Sequence, residues 1–100
     1  MGAGAHLYQM TCWQSSSGVW RVNDVKNLAG QSAKWYAPMR ILNLSIEDYI
    51  TLLHDTFHAK ELIYYMDTDY LSFYFTTEKD AKAFCNYVNK TARKLNYICA

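Results

Sequence analysis

Two histidines four residues apart, His54 and His58, enclose Asp55-Thr56-Phe57 in a stretch whose apolar residues recur at helical spacing. On a helix that spacing puts both imidazoles on one face, where they could ligate one metal ion, and the run imitates the His-Glu-x-x-His pattern of zinc proteases. The imitation fails at its decisive position. Asp55 stands where that chemistry needs a Glu, whose extra methylene sets the reach of the general base, and the remaining histidine is His6, near the chain start. Neither a metal nor another cofactor is expected. Cys12, Cys85 and Cys99 are odd in number, widely separated and without Cys-x-x-Cys spacing, which argues against a disulfide framework and a zinc ribbon and for a reducing, cytoplasmic setting. Cys85 reads as a small core residue and Cys99 as a terminal, exposed one. With no Gly-rich phosphate loop, no plausible acid pair and no activated Ser or Cys, no catalytic residue and no enzyme are expected.

The elements that must position these side chains are bounded by composition. One hundred residues, 51% hydrophobic and 16% aromatic, suffice for one compact core and not for two. The formal charge of +1 excludes a strongly basic protein of ribosomal type, so any nucleic-acid binding must come from local clustering of charge. No apolar run reaches the length of a membrane span, and no signal-peptide pattern opens the chain, so no membrane partner is expected. Residues 1–5, Met-Gly-Ala-Gly-Ala, read as a flexible leader or a cloning remnant, and 6–100 as a single domain.

From His6 to Val22 aromatic and β-branched residues are interrupted by Ser15-Ser16-Ser17-Gly18, which predicts two short strands, or an arm and one strand over Gly18 to Val22. Asn23 suits the cap of a two-turn helix over Asp24 to Ala29, stopped by Gly30. Pro38 is favourable as a first helical residue and predicts a short helix to Leu42. Asn43 suits a left-handed corner. Ser45 with Asp48 forms a capping box for a helix over Ile46 to His58, with Leu44 and Tyr49 as its hydrophobic staple. Ile46, Tyr49, Ile50, Leu53 and Phe57 form its apolar face and Glu47, Thr51, His54, Asp55 and His58 its polar one.

Glu61 to Met66 and Tyr70 to Thr76 alternate around Asp67-Thr68-Asp69 and read as an antiparallel hairpin, with Leu71, Phe73 and Phe75 turned to the core. Tyr64, Tyr65, Tyr70 and Tyr74 crowd the same hairpin, with several rings expected on its outer face or edge. Thr77 and Asp80 repeat the capping signature, and Ala81, Phe84, Cys85, Val88, Ala92 and Leu95 trace an apolar stripe along a last helix ending near Leu95.

The order strand, short helix, short helix, corner, capped helix, hairpin resembles the winged helix-turn-helix superfamily over Gly18 to Thr76, with the last helix an added element. Leu42 looks like the last apolar residue of the first motif helix, and Asn43 sits where Gly is commonest. Leu44 matches the buried corner residue, and Tyr49 with Leu52 or Leu53 matches the core positions of the recognition helix. The resemblance implies an α+β winged-helix-like domain that binds double-stranded DNA as a homodimer, in transcription regulation or as an accessory factor in plasmid or mobile-element DNA processing, there within a nucleoprotein complex with protein partners.

One feature departs from that family. The would-be recognition helix opens on Glu47 and Asp48 and carries Asp55, which repel phosphates, so only Thr51 and His54 (with His58) could read base edges. Positive charge lies elsewhere, on Lys79, Lys82, Lys90, Arg93 and Lys94 of the last helix and on Arg21, Lys26, Lys34 and Arg40. These eleven residues, Thr51 and His54 with the nine cations, form the expected DNA-binding set, with the last helix and the hairpin contributing as much as the motif helix. A rival reading is a phage- or plasmid-encoded protein-interaction module that uses the Tyr-rich hairpin against a protein partner.

Overall fold

The computed structural model describes residues 9–24, 38–68 and 70–94. Two antiparallel hairpins form the sheet portion. Strand β1 (Met10–Gln14) pairs with β2 (Trp20–Asp24) around a turn in which the Gly18 amide donates to the Ser15 carbonyl at 2.9 Å. Gly18 has φ 92°, a conformation side chains resist, which fits the only glycine in that turn. The hairpin runs further than expected. Asn23 and Asp24, read from sequence as the start of a helix, pair instead with Thr11 and Met10, because the ladder continues past the point where capping residues would otherwise turn the chain. The remainder of that expected helix lies outside the described residues.

Helix α1 (Pro38–Ile41) begins on its proline, as expected, and Asn43 turns the corner at φ 56°. The Leu44 amide closes the corner by donating to the Met39 carbonyl at 3.1 Å. Helix α2 (Ile46–Thr51) starts where its cap predicts, the Ser45 hydroxyl accepting from the Asp48 amide at 3.2 Å. Its end differs from expectation. The helix widens into a π-helical turn over Leu52–Thr56, the Phe57 amide reaches the Leu52 carbonyl at 3.4 Å, and His58 adopts φ 62°. His58 therefore stands beyond the helix rather than on its last turn.

Strand β3 (Lys60–Tyr65) pairs with β4 (Tyr70–Tyr74). Glu61, at φ 50°, lies in a bulge that sets two residues of β3 against one of β4 between the Lys60–Tyr74 and Ile63–Ser72 pairs. The hairpins are joined edge to edge at one place. Trp20 and Phe75 exchange amide-to-carbonyl hydrogen bonds of 2.8 Å each way, which sets β2 beside β4.

Helix α3 (Glu78–Lys94) is capped by the Thr77 hydroxyl, which accepts from the Asp80 amide at 3.2 Å. It packs against β1, β2 and α1. The expected stripe is observed from Ala81 to Ala92, with Ala81, Phe84, Cys85, Val88 and Ala92 all buried, and Leu71, Phe73 and Phe75 face it as expected. Phe84 meets four rings, Tyr49 and Phe57 from the α2 region and Phe73 and Phe75 from the second hairpin, at centroid distances of 5.4 to 6.4 Å. Leu42 and Leu44 at the corner also pack on this core, and Leu53 is fully buried where Leu52 is half-buried. The result is a small α+β fold with helices on one face of two joined hairpins.

A polar residue of that stripe does structural work the periodicity did not reveal. Asn89 is buried among apolar neighbours, where its Oδ1 accepts from the Met10 amide at 2.8 Å and its Nδ2 donates to the Met10 carbonyl at 3.0 Å. It gives β1 a partner on the side away from β2. Asn89→Ala leaves both Met10 groups without that partner, and equilibrium urea denaturation should record a loss of about 1–3 kcal/mol. Ser45→Ala should cost about 1 kcal/mol through its lost cap, again read as a denaturation midpoint; an unchanged midpoint would mean that the cap does not hold α2.

Candidate nucleic-acid interface

The charge of α3 is sorted by its own geometry. Residues 79, 86, 90 and 93 recur at helical spacing on the side opposite Phe84 and Val88, so Lys79, Asn86, Lys90 and Arg93 share the solvent face, with Lys82 and Lys94 at its margins. All six are exposed. From Lys79 to Lys94 this stripe extends about 22 Å at the helical rise. The two carboxylates of α3 lie in its first turn, where they suit the helix dipole, and both are engaged. Glu78 holds the Lys82 ammonium at 2.9 Å, raising its pKa through the hydrogen bond first and the charge second, and Asp80 lies 3.3 Å from His58 Nδ1. Among the described residues Lys79, Lys90, Arg93 and Lys94 have no ion-pair partner. Arg93 and Lys94 also sit at the negative end of the helix dipole.

Of the other expected site residues, those that the structure describes, Arg21, Thr51 and His54, do not join this stripe. Arg21 is half-buried on β2, its Nη1 donating to the Phe73 carbonyl at 3.3 Å and its guanidinium carbon 5.9 Å from the centroid of the Tyr74 ring. Its neighbours Trp20 and Val22 pack on the core beneath α3, so strand alternation turns Arg21 to the opposite face of the sheet. Arg21 and the α3 cations therefore point away from one another. Lys26 and Lys34 lie outside the described residues, as does the side chain of Arg40.

On α2 the polar face is exposed but internally occupied. The Thr51 hydroxyl donates to the Glu47 carbonyl at 3.0 Å, and His54 Nδ1 lies 2.8 Å from Asp55 Oδ1. Glu47, Asp48 and Asp55 are all exposed beside them, which keeps this helix unfavourable to a phosphate backbone. The two histidines have separate carboxylate partners, Asp55 for His54 and Asp80 for His58, because the π turn and the left-handed residue at His58 break the helical register between them. Among the described residues no three His, Cys, Asp or Glu side chains converge into a metal-binding group, and no helix is long and apolar enough to cross a membrane.

Folding also brings together two cysteines that the sequence separates. Cys12, half-buried on the inner face of β1, and Cys85, buried on α3, are free thiols close enough for the Cys12 sulfur to influence the ionisation of Cys85. Burial, reinforced by the Cys12 sulfur, pushes the Cys85 thiol up to about 12. Cys85 is accordingly a core residue, as its place on the stripe predicts. No protein-family model, no curated protein and no solved structure matches the chain.

The thiol shift has a sign that can be measured. Between 9.0 and about 12 the native state keeps a proton that the unfolded chain loses, so the associated stability is complete below that window and declines as pH rises through it. Denaturation midpoints should fall above about pH 9, less steeply in Cys85→Ala, and native Cys85 should resist a thiol reagent until denaturant exposes it. Rapid labelling of native Cys85, located by peptide mapping, would contradict this.

Proposed function

We propose that this protein is a non-enzymatic double-stranded DNA-binding protein whose α3 solvent face grips the phosphate backbone. The observation that carries the reading is the stripe of Lys79, Lys90, Arg93 and Lys94, four cations without carboxylate partners among the described residues, along one helix of a chain whose net charge is only +1. Five cations against two carboxylates make α3 a local concentration of positive charge, which is what counterion release requires.

The winged-helix reading draws support from the one-turn α1, the left-handed Asn43, the Ser45-capped α2 and the hairpin that follows, together with a preceding strand that pairs with that hairpin at Trp20 and Phe75. In this proposal the motif helix is a poor reader, since Glu47, Asp48 and Asp55 surround Thr51 and His54. Contacts from α3 position the duplex, and base discrimination by a single domain is slight. A homodimer on a repeated site would supply the missing discrimination and suits a transcription regulator or an accessory factor of plasmid or mobile-element DNA processing.

Duplex affinity measured over a salt series tests this directly. Wild-type binding should fall steeply with salt, and Lys90→Ala combined with Arg93→Ala should weaken it at low salt and flatten the log–log slope by about 1.8, two phosphate contacts' worth. Absence of duplex binding at low salt, or a double variant indistinguishable from wild type with its fold intact, would reject the proposal.

A further inference from the structure

The two hairpins place one face of their strands under α3 and turn the other away from it, and among the described residues no element covers that outer face. Its side chains line up in rows. Trp13 stands opposite Arg21 across β1 and β2, and Tyr74 opposite Lys60 across β4 and β3. The Trp20–Phe75 junction brings β2 to β4, and there Arg21 lies over the Tyr74 ring. The four side chains therefore form one row across four strands: ring, cation, ring, cation. Farther along the second hairpin Tyr65 and Tyr70 stand opposite one another, with ring centroids 6.0 Å apart and planes inclined by 27°, and Ile63 and Ser72 fill the row between. From Tyr74 to Tyr70 the strand runs about 13 Å. Trp13, Tyr65 and Tyr70 are 43%, 46% and 57% exposed, unusually open for aromatic rings of a small domain.

We propose that this outer face binds single-stranded nucleic acid, with bases stacking on the Tyr65, Tyr70 and Trp13 rings and phosphates meeting Arg21 and Lys60. Bases freed from a duplex have open π-faces, and exposed aromatic side chains on a sheet accept them with little regard for sequence. The charge is complementary to that occupant. Among the described side chains paired in these rows there are two cations and no carboxylate; Glu61, exposed in the β3 bulge, and Asp67, exposed in the turn, have no cross-strand partner in them. The site lies on the opposite side of the sheet from α3 and does not depend on the duplex-binding stripe.

The test is fluorescence anisotropy of an end-labelled, mixed-sequence single-stranded oligonucleotide of about 12 nucleotides, within the span such platforms occupy. Wild-type protein should bind it at low salt. Tyr65→Ala combined with Tyr70→Ala, both exposed positions whose loss spares the core, should weaken binding at least about tenfold. Lys60→Ala should weaken it less and reduce its salt dependence, whereas Lys90→Ala with Arg93→Ala should leave it unchanged. Circular dichroism on each variant establishes that the fold persists. Failure of the wild type to bind the single strand overturns the proposal, as does binding that survives the tyrosine pair or is lost equally with the α3 pair. Sedimentation showing a dimer that the tyrosine pair dissolves would assign the face to a second copy of the chain and overturn it too. Duplex binding through Lys90 and Arg93 without single-strand binding would leave the α3 reading intact and end this one.

Discussion

Phe84 is the side chain around which the described fold is assembled. Fully buried on α3, it contacts rings from the α2 region and from the second hairpin, while Asn89, farther along the same helix, holds the backbone of Met10 in the first hairpin. One helix therefore ties together elements from both ends of the described chain. The two contacts differ in kind. The aromatic packing is non-directional and tolerant of small shifts, whereas the Asn89 amide is directional and engages both the N–H and the C=O of Met10.

Once α3 occupies the inner face of both hairpins, the surfaces of the molecule are decided. The apolar stripe of α3 is spent on the core, so its cations must face solvent. Strand alternation leaves Trp13, Arg21, Tyr74, Tyr65 and Tyr70 on the side away from the helix. A nearly neutral chain thus presents a cationic helix face on one side and a ring-and-cation sheet face on the other. Glu47, Asp48 and Asp55 concentrate negative charge on the α2 region, between the hairpins in sequence. Among the described residues the cations are not pooled into a single patch, since Arg21 stands on the sheet face away from the α3 stripe.

The π turn at Leu52–Thr56 links local geometry to chemistry. It carries Leu53 and Phe57 inward, both buried, and ends on a left-handed His58 that meets Asp80 at the start of α3. A regular helix through His58 would have placed both histidines on one face. The widened turn instead leaves each imidazole beside its own carboxylate, Asp55 for His54 and Asp80 for His58.

Much of this was legible in the chain. Pro38, the left-handed Asn43, the Ser45 and Thr77 caps, the second hairpin and the stripe from Ala81 to Ala92 follow from spacing and side-chain chemistry acting within a few residues, where backbone sterics and capping dominate. The exposure of Lys79, Lys90, Arg93 and Lys94 follows as well, because it is the complement of that stripe. Other features arise from contacts between residues distant in sequence, which no local rule encodes. The continuation of β2 through Asn23 and Asp24 reflects its ladder with β1. The pairing of Asn89 with Met10, the meeting of Cys12 and Cys85, the junction of Trp20 with Phe75 and the turning of Arg21 away from α3 were decided only when the hairpins closed under one helix.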